Sequence, residues 1–328
     1  MKVFVTGAAG FVGSRLAKAL LARGDSVIGH DNFDPYYPRV HKDRHLRDLL
    51  PEKHFTFIEG DLRNSDHLVN IFKEHRPDAL AHMAAMAAVR YSMLHPLVYG
   101  QVNVQGTMNL LDAARLNADP ANPPRCVLAS TGSVYGTSTQ VPFSESAPAD
   151  RPLAPYPASK RAMELMAHCY SHLWKLPTSI VRFFNVYGPH GRPDMMPWQW
   201  TLDILAGKPL TLYNNGHIKR DWTYIDDIVT GLILALDNPP VSNDGLPPYD
   251  TFNLGCSNPV ENMTFVQILE DLLGKKAQII NTPTPPTEPL ITYANISKAH
   301  EQLGYSPKTQ VDQGLKHFIT WLREERII

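Results

Sequence analysis

The amino-terminal stretch constrains the fold more than any other part of the chain. Residues 1–6 form a short apolar run, the glycine-rich turn Thr6-Gly-Ala-Ala-Gly-Phe-Val-Gly13 follows, and an apolar stripe predicts a helix over 14–23. Glycines let the backbone turn tightly and approach a ligand closely, while the first turn of a helix offers N–H groups and a partial positive charge. This order of strand, turn and helix predicts a βαβ unit that binds the pyrophosphate of a dinucleotide.

Asp31 indicates which dinucleotide is bound. It lies at the end of the predicted second strand, 18 residues after Gly13. A carboxylate in this place accepts a hydrogen bond from a ribose 2′-OH and repels a 2′-phosphate. NAD is therefore favoured, and NADP stays the alternative because three basic residues follow, namely Arg39, His41 and Arg44.

A third strand, predicted over 55–58, ends at the polar turn Gly60-Asp61-Leu62-Arg63. We expect Asp61 and Leu62 to flank the adenine. The alternative is an ordinary Asp-containing turn.

Strands and helices continue to alternate along the chain. Helices are predicted over about 66–75, 97–117 and 156–174, and strands over 79–82, 126–130 and 179–184. Alternation of this kind is typical of a parallel sheet covered by helices on both faces. The predicted fold class is α/β, a Rossmann doubly wound parallel sheet with a smaller mixed C-terminal substrate domain.

The pattern changes after residue 185, which suggests two domains. Residues 1–185, with a returning segment over 222–255, are predicted to form the dinucleotide-binding domain, and residues 186–221 and 256–328 a cap. The tail half looks too fragmented for a sheet of its own. Residues 33–54 carry no clean periodicity and are expected to be irregular.

Composition excludes several classes of partner. The 328 residues include 31 basic and 32 acidic ones, a formal net charge of −1, so no overall field favours nucleic acid or an anionic membrane. Three widely spaced cysteines, Cys126, Cys169 and Cys256, fit buried thiols in a reducing compartment better than disulfides or a metal site. With no leader pattern ahead of the first strand, we expect a cytoplasmic protein.

Tyr156-Pro-Ala-Ser-Lys160 places a phenol and an ammonium on one face of a predicted helix. An adjacent ammonium favours the phenolate, which lowers the pKa of a tyrosine from about 10 and suits it to act as a general base. Alone, such a pair is more often a solvated surface feature.

Taken together, Gly7-x-x-Gly10-x-x-Gly13, Thr131 and Tyr156-x-x-x-Lys160 resemble the extended short-chain dehydrogenases/reductases, over the whole chain. Within that superfamily the chain is most similar to the nucleotide-sugar 4-epimerases that act on UDP-glucuronate. The stretches that carry this resemblance are Asp31-Asn32-Phe33, Arg90-Tyr91-Ser92, Arg182-Phe-Phe, Val186-Tyr-Gly-Pro, Gly191-Arg-Pro-Asp-Met and Lys219-Arg-Asp-Trp-Thr-Tyr-Ile-Asp-Asp.

The resemblance implies an isomerase mechanism. Thr131 would hydrogen-bond the sugar O4, Tyr156 would take its proton, and Lys160 would hold the nicotinamide ribose and lower the tyrosine pKa. Hydride would pass from C4 to NAD, and the 4-keto sugar would turn and receive it on its other face. C4 is thereby inverted and NAD is regenerated.

The resemblance also implies the remaining contacts, with the cap binding the UDP-sugar. Besides Tyr156 and Lys160, the cofactor contacts are Gly7, Gly10, Phe11, Val12, Gly13, Asp31, Asn32, Asp61, Leu62, Ala84 and Asn103. Besides Thr131, the substrate contacts are Arg90, Gly132, Ser133, Asn185, Arg192, Tyr213, Arg220 and Glu288. No metal is implied.

Departures from the family pattern leave the identity of the substrate sugar undecided. Dehydratases and decarboxylases of the superfamily carry an acidic residue after the catalytic Ser/Thr, whereas Gly132 and Ser133 follow here, which favours simple epimerisation. Gly132 and Asn185 replace two hydroxyl residues that grip the glucuronate carboxylate, so a UDP-glucose/UDP-galactose 4-epimerase is the alternative. Ser133 and Arg192 remain for the carboxylate; the alternative for Arg192 is a structural cap on its own loop. In Pro285-Pro-Thr-Glu288 the family's first diphosphate contact is missing, and Glu288 is expected to keep the uridine ribose.

A nucleotide-sugar dehydratase or reductase and a non-catalytic NAD sensor remain further alternatives, although intact Tyr156, Lys160 and Thr131 argue against a sensor. His82 is expected to be structural. One side of the Tyr156 helix, with Met163, Met166, Cys169, Tyr170 and Leu173, is interpreted as core, part of it an interface, because this helix and that near 100–117 form a homodimer bundle in the family.

Overall fold

A computed structural model describes residues 1–136, 140–285 and 288–328 of the chain. The strands are β1 Lys2–Thr6, β2 Ser26–Asp31, β3 Phe55–Glu59, β4 Ala79–His82, β5 Arg125–Thr131, β6 Thr178–Phe183, β7 Val186–Tyr187, β8 Pro209–Tyr213, β9 Lys219–Asp221, β10 Thr223–Tyr224, β11 Tyr249–Leu254, β12 Pro259–Glu261, β13 Gln278–Thr282 and β14 Ile291–Thr292. The helices are α1 Phe11–Ala22, α2 Arg39–Arg47, α3 Ser65–His75, α4 Val89–Leu94, α5 Pro96–Tyr99, α6 Gly106–Leu116, α7 Pro155–Trp174, α8 Met196–Ala206, α9 Ile225–Asp237, α10 Asn262–Leu273, α11 Ser297–Leu303 and α12 Val311–Glu324.

Chain contacts define two compact units. The first contains Met1–Gly136, Ala147–Arg182 and Val229–Phe252, and the second contains Thr137–Ser146, Phe183–Ile228 and Asn253–Ile328. The predicted domain boundaries are not tested by this division and stay a prediction.

A seven-stranded sheet has the order β11-β6-β5-β4-β1-β2-β3. Strand β1 pairs in parallel with β2 and β4, and these pair in parallel with β3 and β5. Its strand order 3-2-1-4-5-6 is that of a dinucleotide-binding doubly wound fold, so the predicted fold class is confirmed. In such a sheet the carboxyl ends of β1, β2 and β4 meet at one edge, which brings the glycine turn, Asp31 and His82 to the same place.

The apolar residues of these strands pack against the covering helices. Phe4 and Leu80 from the sheet, Leu110 from α6 and Met163 from α7 belong to one buried cluster. This packing fixes α7, and with it Tyr156 and Lys160, relative to β5.

The second unit contains small sheets, so the expectation that the tail half is too fragmented for a sheet is wrong. Strand β9 lies between β12, antiparallel, and β14, parallel, while β8 pairs in parallel with β13. These strands span two to five residues, too short for their alternation of side chains to show in the sequence. A cluster of aromatic rings from α8 and α12 packs in the same unit, with Trp198 and Trp321 centroids 5.4 Å apart.

Three further expectations need correction. Residues 39–47 of the stretch expected to be irregular form helix α2. The cysteines are not all buried: Cys126 is, but Cys169 is exposed and Cys256 is half-buried. Of the five α7 residues interpreted as core, only Met163 is fully buried, whereas Met166 and Leu173 are 38% and 62% exposed, so most of that side is not core of this chain.

Candidate functional site

The glycine turn at the end of β1 is packed as tightly as a phosphate-binding turn requires. Gly7 has φ +69°, and a Cβ there would lie 2.8 Å from the Ala84 nitrogen. A Cβ on Gly13 would lie 2.1 Å from the Gly7 oxygen. Helix α1 begins after Gly10 without a side-chain cap and without an acidic residue in its first turn. Its first N–H groups are therefore suited to hold an anion such as a pyrophosphate.

Asp31 is 8% exposed at the end of β2 and touches the glycine turn. Its Oδ2 accepts a hydrogen bond from the Ala9 N–H (3.1 Å), and its Oδ1 accepts one from the Phe33 N–H (2.8 Å). Burial raises the pKa of Asp31, and the Lys42 ammonium, 3.8 Å away, acts in the opposite direction. The glycine turn, the uncapped helix and this carboxylate together fit the pyrophosphate and adenosine ribose of NAD.

Asp61 lies in the turn after β3, beside Asn32. The Asn32 amide donates to Asp61 Oδ2 at 2.9 Å, and the Arg63 guanidinium donates to both Asp61 oxygens at 2.9 and 2.7 Å. These hydrogen bonds, above all those from Arg63, hold the pKa of Asp61 well below its ordinary value. Leu62 is buried, and its carbonyl accepts a hydrogen bond from Asn109 of α6 at 2.9 Å.

The loop after β4 is held in place by Asn103. The Asn103 amide bonds both the N–H and the carbonyl of Met86 at 2.9 Å, and it also donates to Ser159 of α7 at 2.9 Å. Asn103 lies in a π-helical segment, Gly100–Gln105, a kind of distortion that is frequent at functional sites. Its observed contacts make it a link between the loop that carries Ala84 and the helix that carries Tyr156.

His82, at the end of β4, has the contacts of a structural group. It is fully buried, with Nδ1 2.7 Å from Thr6 Oγ1 and Nε2 2.9 Å from Thr107 Oγ1. Burial, followed by the Lys160 charge, lowers its pKa well below the ordinary value, so the ring is neutral at physiological pH.

Tyr156 and Lys160 lie in the first two turns of α7, which packs against β5 and the turn after it. Lys160 is 2% exposed, and its Nζ donates to the Ala129 carbonyl at 2.8 Å. Tyr156 is half-buried, with its ring 6.2 Å from that of Tyr99. Burial lowers the pKa of Lys160 to about 8, which leaves the ammonium mostly protonated at neutral pH.

Thr131 ends β5, two residues after Ala129. Its Oγ1 accepts a hydrogen bond from the Ser133 N–H at 3.1 Å, which forms the cap of a short 3₁₀ turn. Thr131 is buried, Gly132 is half-buried and Ser133 is exposed. The first unit thus carries the threonine, the tyrosine and the lysine on two elements that pack together.

Arg90 is the second residue of α4 and is exposed. The next residue, Tyr91, lines a cavity of about 430 Å³ with Asp34, Tyr36 and His95. Phe11 is buried and Val12 half-buried in the first turn of α1.

The predicted uridine and diphosphate contacts lie in the second unit. Arg220 of β9 makes an ion pair with Glu288, and its other terminal nitrogen donates to the Lys219 carbonyl at 2.8 Å. The structure therefore brings these two predicted residues together. Tyr213 ends β8, and the Asn185 carbonyl accepts a hydrogen bond from the Thr223 N–H at 3.1 Å. Pro286 and Thr287 of the Pro285–Glu288 stretch lie outside the described residues.

Arg192 makes the contact expected of a cap on its own loop. Its Nε and Nη2 donate to the two carboxylate oxygens of Asp194 at 3.0 and 2.8 Å. This bidentate pair supports the alternative interpretation of Arg192 over a carboxylate-binding one.

Two residues of α2 were missed by the sequence analysis. Lys42 is buried beside Asp31 and donates to the Asp34 carbonyl at 2.9 Å, and His45 contacts the Ala9 carbonyl at 2.8 Å. Their spacing, with Leu46, is that of one helix face, a signal hidden because two of the three residues are ionisable. Arg39, considered for NADP, stacks on the Phe33 ring at 3.8 Å.

A second missed set surrounds Glu164, four residues after Lys160. Among the described residues, Ser130, Arg161 and Arg182 hydrogen-bond the Glu164 carboxylate. The described residues hold no group of three or more His, Cys, Asp or Glu side chains suited to a metal ion. None of their helices is both long and apolar enough to span a bilayer.

Known proteins show the same organisation. The family model for GDP-mannose 4,6-dehydratase matches residues 4–318. UDP-glucuronate 4-epimerase 1 of Arabidopsis thaliana is 43% identical over 333 residues, covering 98% of this chain and 76% of the relative. A crystal structure of UDP-glucuronic acid 4-epimerase from Bacillus cereus, in complex with UDP-glucuronic acid and NAD, superposes with a TM-score of 0.88 at 33% identity, covering 99% of this chain and 100% of that one. A UDP-glucose 4-epimerase of Thermotoga maritima with UDP-glucose gives a TM-score of 0.86 at 25% identity, with the same coverage.

Proposed function

Since the chain belongs to the GDP-mannose 4,6-dehydratase family, and within it to the NAD-dependent nucleotide-sugar epimerases, we propose that it interconverts UDP-glucuronate and UDP-galacturonate by inversion at C4. The observation that carries the chemistry is the buried ammonium of Lys160 one helical turn after Tyr156, on a helix packed against the strand that ends at Thr131.

Tyr156 and Thr131 both act on the sugar O4. Tyr156 as phenolate removes the O4 proton while the C4–H bond breaks and the C4=O bond forms, and Thr131 holds O4 by a hydrogen bond. Bound NAD supplies the acceptor for the C4 hydride and later its donor. After the keto sugar has turned, Tyr156 returns the proton to O4, so that the product differs from the substrate only in the configuration at C4.

Lys160 serves this cycle by its charge and by its fixed position. An ammonium near a phenol stabilises the phenolate, and the Ala129 carbonyl holds the ammonium in place. The glycine turn, Asp31, Asn32 and Asp61 would hold the dinucleotide, and Arg220 the substrate diphosphate, for which a guanidinium is a suitable partner.

These roles are tested by Tyr156→Phe, which removes only the phenolic oxygen. We expect turnover to be lost while NAD binding, measured by calorimetry, is retained. Tyr170→Phe is the matched control, because it makes the same change on α7 where the hydroxyl bonds Asp112 at 3.0 Å. A Tyr156→Phe enzyme with wild-type turnover would refute the assignment.

A UDP-glucose/UDP-galactose 4-epimerase is the second candidate. Gly132 and Asn185 favour it, since neither supplies a hydroxyl for a sugar carboxylate, and Arg192 is already paired with Asp194. Incubation of the purified enzyme with each UDP-sugar, with products followed by proton NMR, decides between them. UDP-galactose from UDP-glucose without UDP-galacturonate from UDP-glucuronate would exclude the first candidate.

We further propose a homodimer through a helix bundle of α6 and α7. Several apolar side chains on α7 support this because they are exposed in the single chain, namely Leu165, Met166, Leu173 and Trp174. Leu173→Glu should convert the dimer to a monomer in light scattering, whereas Leu246→Glu, an equally exposed loop leucine, should not. A monomeric wild-type protein would contradict the proposal.

Two broader assignments complete the proposal. We place the NAD-binding domain at 1–185 with 222–255 and the UDP-sugar cap at 186–221 with 256–328. The near-zero net charge and three unpaired cysteines support a cytoplasmic enzyme without a nucleic-acid or membrane partner. Cell fractionation tests the location, and a membrane-bound pool would contradict it.

A further inference from the structure

Glu164 is a fully buried carboxylate on the catalytic helix, one turn after Lys160. Its Oε1 accepts hydrogen bonds from Ser130 Oγ at 2.6 Å and Arg182 Nε at 3.0 Å. Its Oε2 accepts hydrogen bonds from Arg182 Nη2 and Arg161 Nη1, both at 2.8 Å. Three elements, α7, β5 and β6, thus meet at one side chain.

Stability alone is a poor reason for such a group. A buried ion pair loses hydration when the chain folds, and well-packed apolar side chains of similar volume often stabilise a fold equally well. Arg182 is 3% exposed and Glu164 not at all, so both ions bear this cost. The position of the pair, between the strand that ends at Thr131 and the helix of Tyr156, suggests a role in the reaction.

The surroundings of Lys160 show what that role is. Burial acts against its positive charge, the Ala129 carbonyl offers a dipole but no charge, and His82, facing it from β4, is neutral. Glu164 supplies the opposing negative charge from its own helix. Arg161 and Arg182 pair with the carboxylate and partly neutralise it.

We propose that Glu164 is a positioning residue that keeps Lys160 protonated, and that its hydrogen bond to Ser130 holds the helix of Tyr156 in register with the strand that ends at Thr131. The inference rests on the proposed role of Lys160 as the cation beside the catalytic phenolate. Glu164 itself touches neither substrate nor cofactor in this scheme.

Two substitutions should shift the pKa of Lys160 in opposite directions. Glu164→Gln keeps the shape and an acceptor but leaves both arginine charges uncompensated, which disfavours the ammonium. Arg161→Gln removes a positive charge from a side chain that is 32% exposed, which favours the ammonium. Activity requires protonated Lys160, so it is lost as the pH rises through the Lys160 pKa of about 8. The alkaline limb of kcat should therefore move to lower pH in the first variant and to higher pH in the second.

A displacement of about one pH unit in Glu164→Gln would reduce the protonated fraction at pH 8 from about one half to about one tenth, a roughly fivefold loss of kcat. Glu164→Asp should move the alkaline limb of kcat part of the way back to its wild-type position, because the negative charge is restored. Glu74→Gln, which removes one exposed carboxylate from α3, is the control for net charge and should leave the limb unchanged.

The test is the pH dependence of kcat for wild type and these variants, with circular dichroism to confirm folding and Lys160→Met alongside. Opposite displacements in Glu164→Gln and Arg161→Gln support the inference. If Glu164→Gln does not fold, Arg161→Gln decides: an upward shift supports the inference and an unchanged limb overturns it. An inactive Lys160→Met with unchanged limbs in the Glu164 and Arg161 variants overturns the role of Glu164 but leaves the proposed function intact. An active Lys160→Met overturns the role of Lys160 itself.

Discussion

Gly13→Ala is the sharpest test of the glycine turn. The added Cβ would lie 2.1 Å from the Gly7 oxygen and 2.7 Å from the Gly7 carbonyl carbon, which is far inside van der Waals contact. The carbonyl cannot retreat freely, because it accepts the Gly10 N–H at 2.8 Å and Gly7 itself lies against Ala84. The turn must therefore open by about 1 Å, at a cost of about 1–3 kcal/mol for an overpacked site.

The same displacement moves the N–H groups that would hold the pyrophosphate. If the cost appears in binding, NAD affinity falls by about fivefold to 150-fold, since each 1.4 kcal/mol is tenfold. Calorimetric titration with NAD measures this, and thermal unfolding of the NAD-free protein measures the loss of stability. Gly100→Ala is the matched control, because its Cβ would meet nothing within 4 Å. Wild-type affinity and wild-type melting temperature in Gly13→Ala would refute the reasoning.

Three further predictions concern other parts of the fold. Gly60→Ala places a Cβ 2.6 Å from His67 Nε2 and 2.8 Å from His30 Nε2, so we expect a lower melting temperature and weaker NAD binding through the adjacent Asp61 turn; unchanged values in both assays would contradict this. Asp221→Ala leaves three backbone N–H groups without their acceptor, which should lower the free energy of unfolding by at least about 3 kcal/mol in urea titration, more than Asp221→Asn does. Burial alone would raise the pKa of Glu164, but hydrogen bonds led by Arg182 hold this pKa below the ordinary value of 4.5. The stability that ionised Glu164 contributes is therefore complete above pH 4.5 and is lost as the pH falls through its lower pKa in the folded protein. Glu164→Gln should flatten the decline of the wild-type melting temperature in acid, and an equally steep decline would contradict this.

The parallel sheet could be predicted because its strands are short apolar runs between clear helical stripes. Helix α2 could not, because its inner face consists of Lys42, His45 and Leu46, and a pattern based on apolar residues does not recognise the first two. Lys42 is buried because Asp31 lies beside it, a relation between distant residues that periodicity cannot supply. For the same reason the small sheets of the second unit escaped prediction: strands of two or three residues gain their stability from partners far along the chain.

Local spacing explains why the chemistry of the site was easier to predict than its specificity. Tyr156 and Lys160 are four residues apart on one helix, so their relation follows from helical geometry alone. The charge that faces Lys160 is also on that helix, but its partners Ser130 and Arg182 come from two strands, so the network is visible only in the fold. The choice of sugar also depends on contacts that appear only in the fold. From its sequence position Arg192 could either bind a substrate carboxylate or cap its own loop, and its bidentate contact with Asp194 favours the cap. With that cation already paired, a preference for UDP-glucuronate has to arise from donors other than a free Arg192 guanidinium. Ser133, two residues after Thr131, carries an exposed hydroxyl that could be one of these donors.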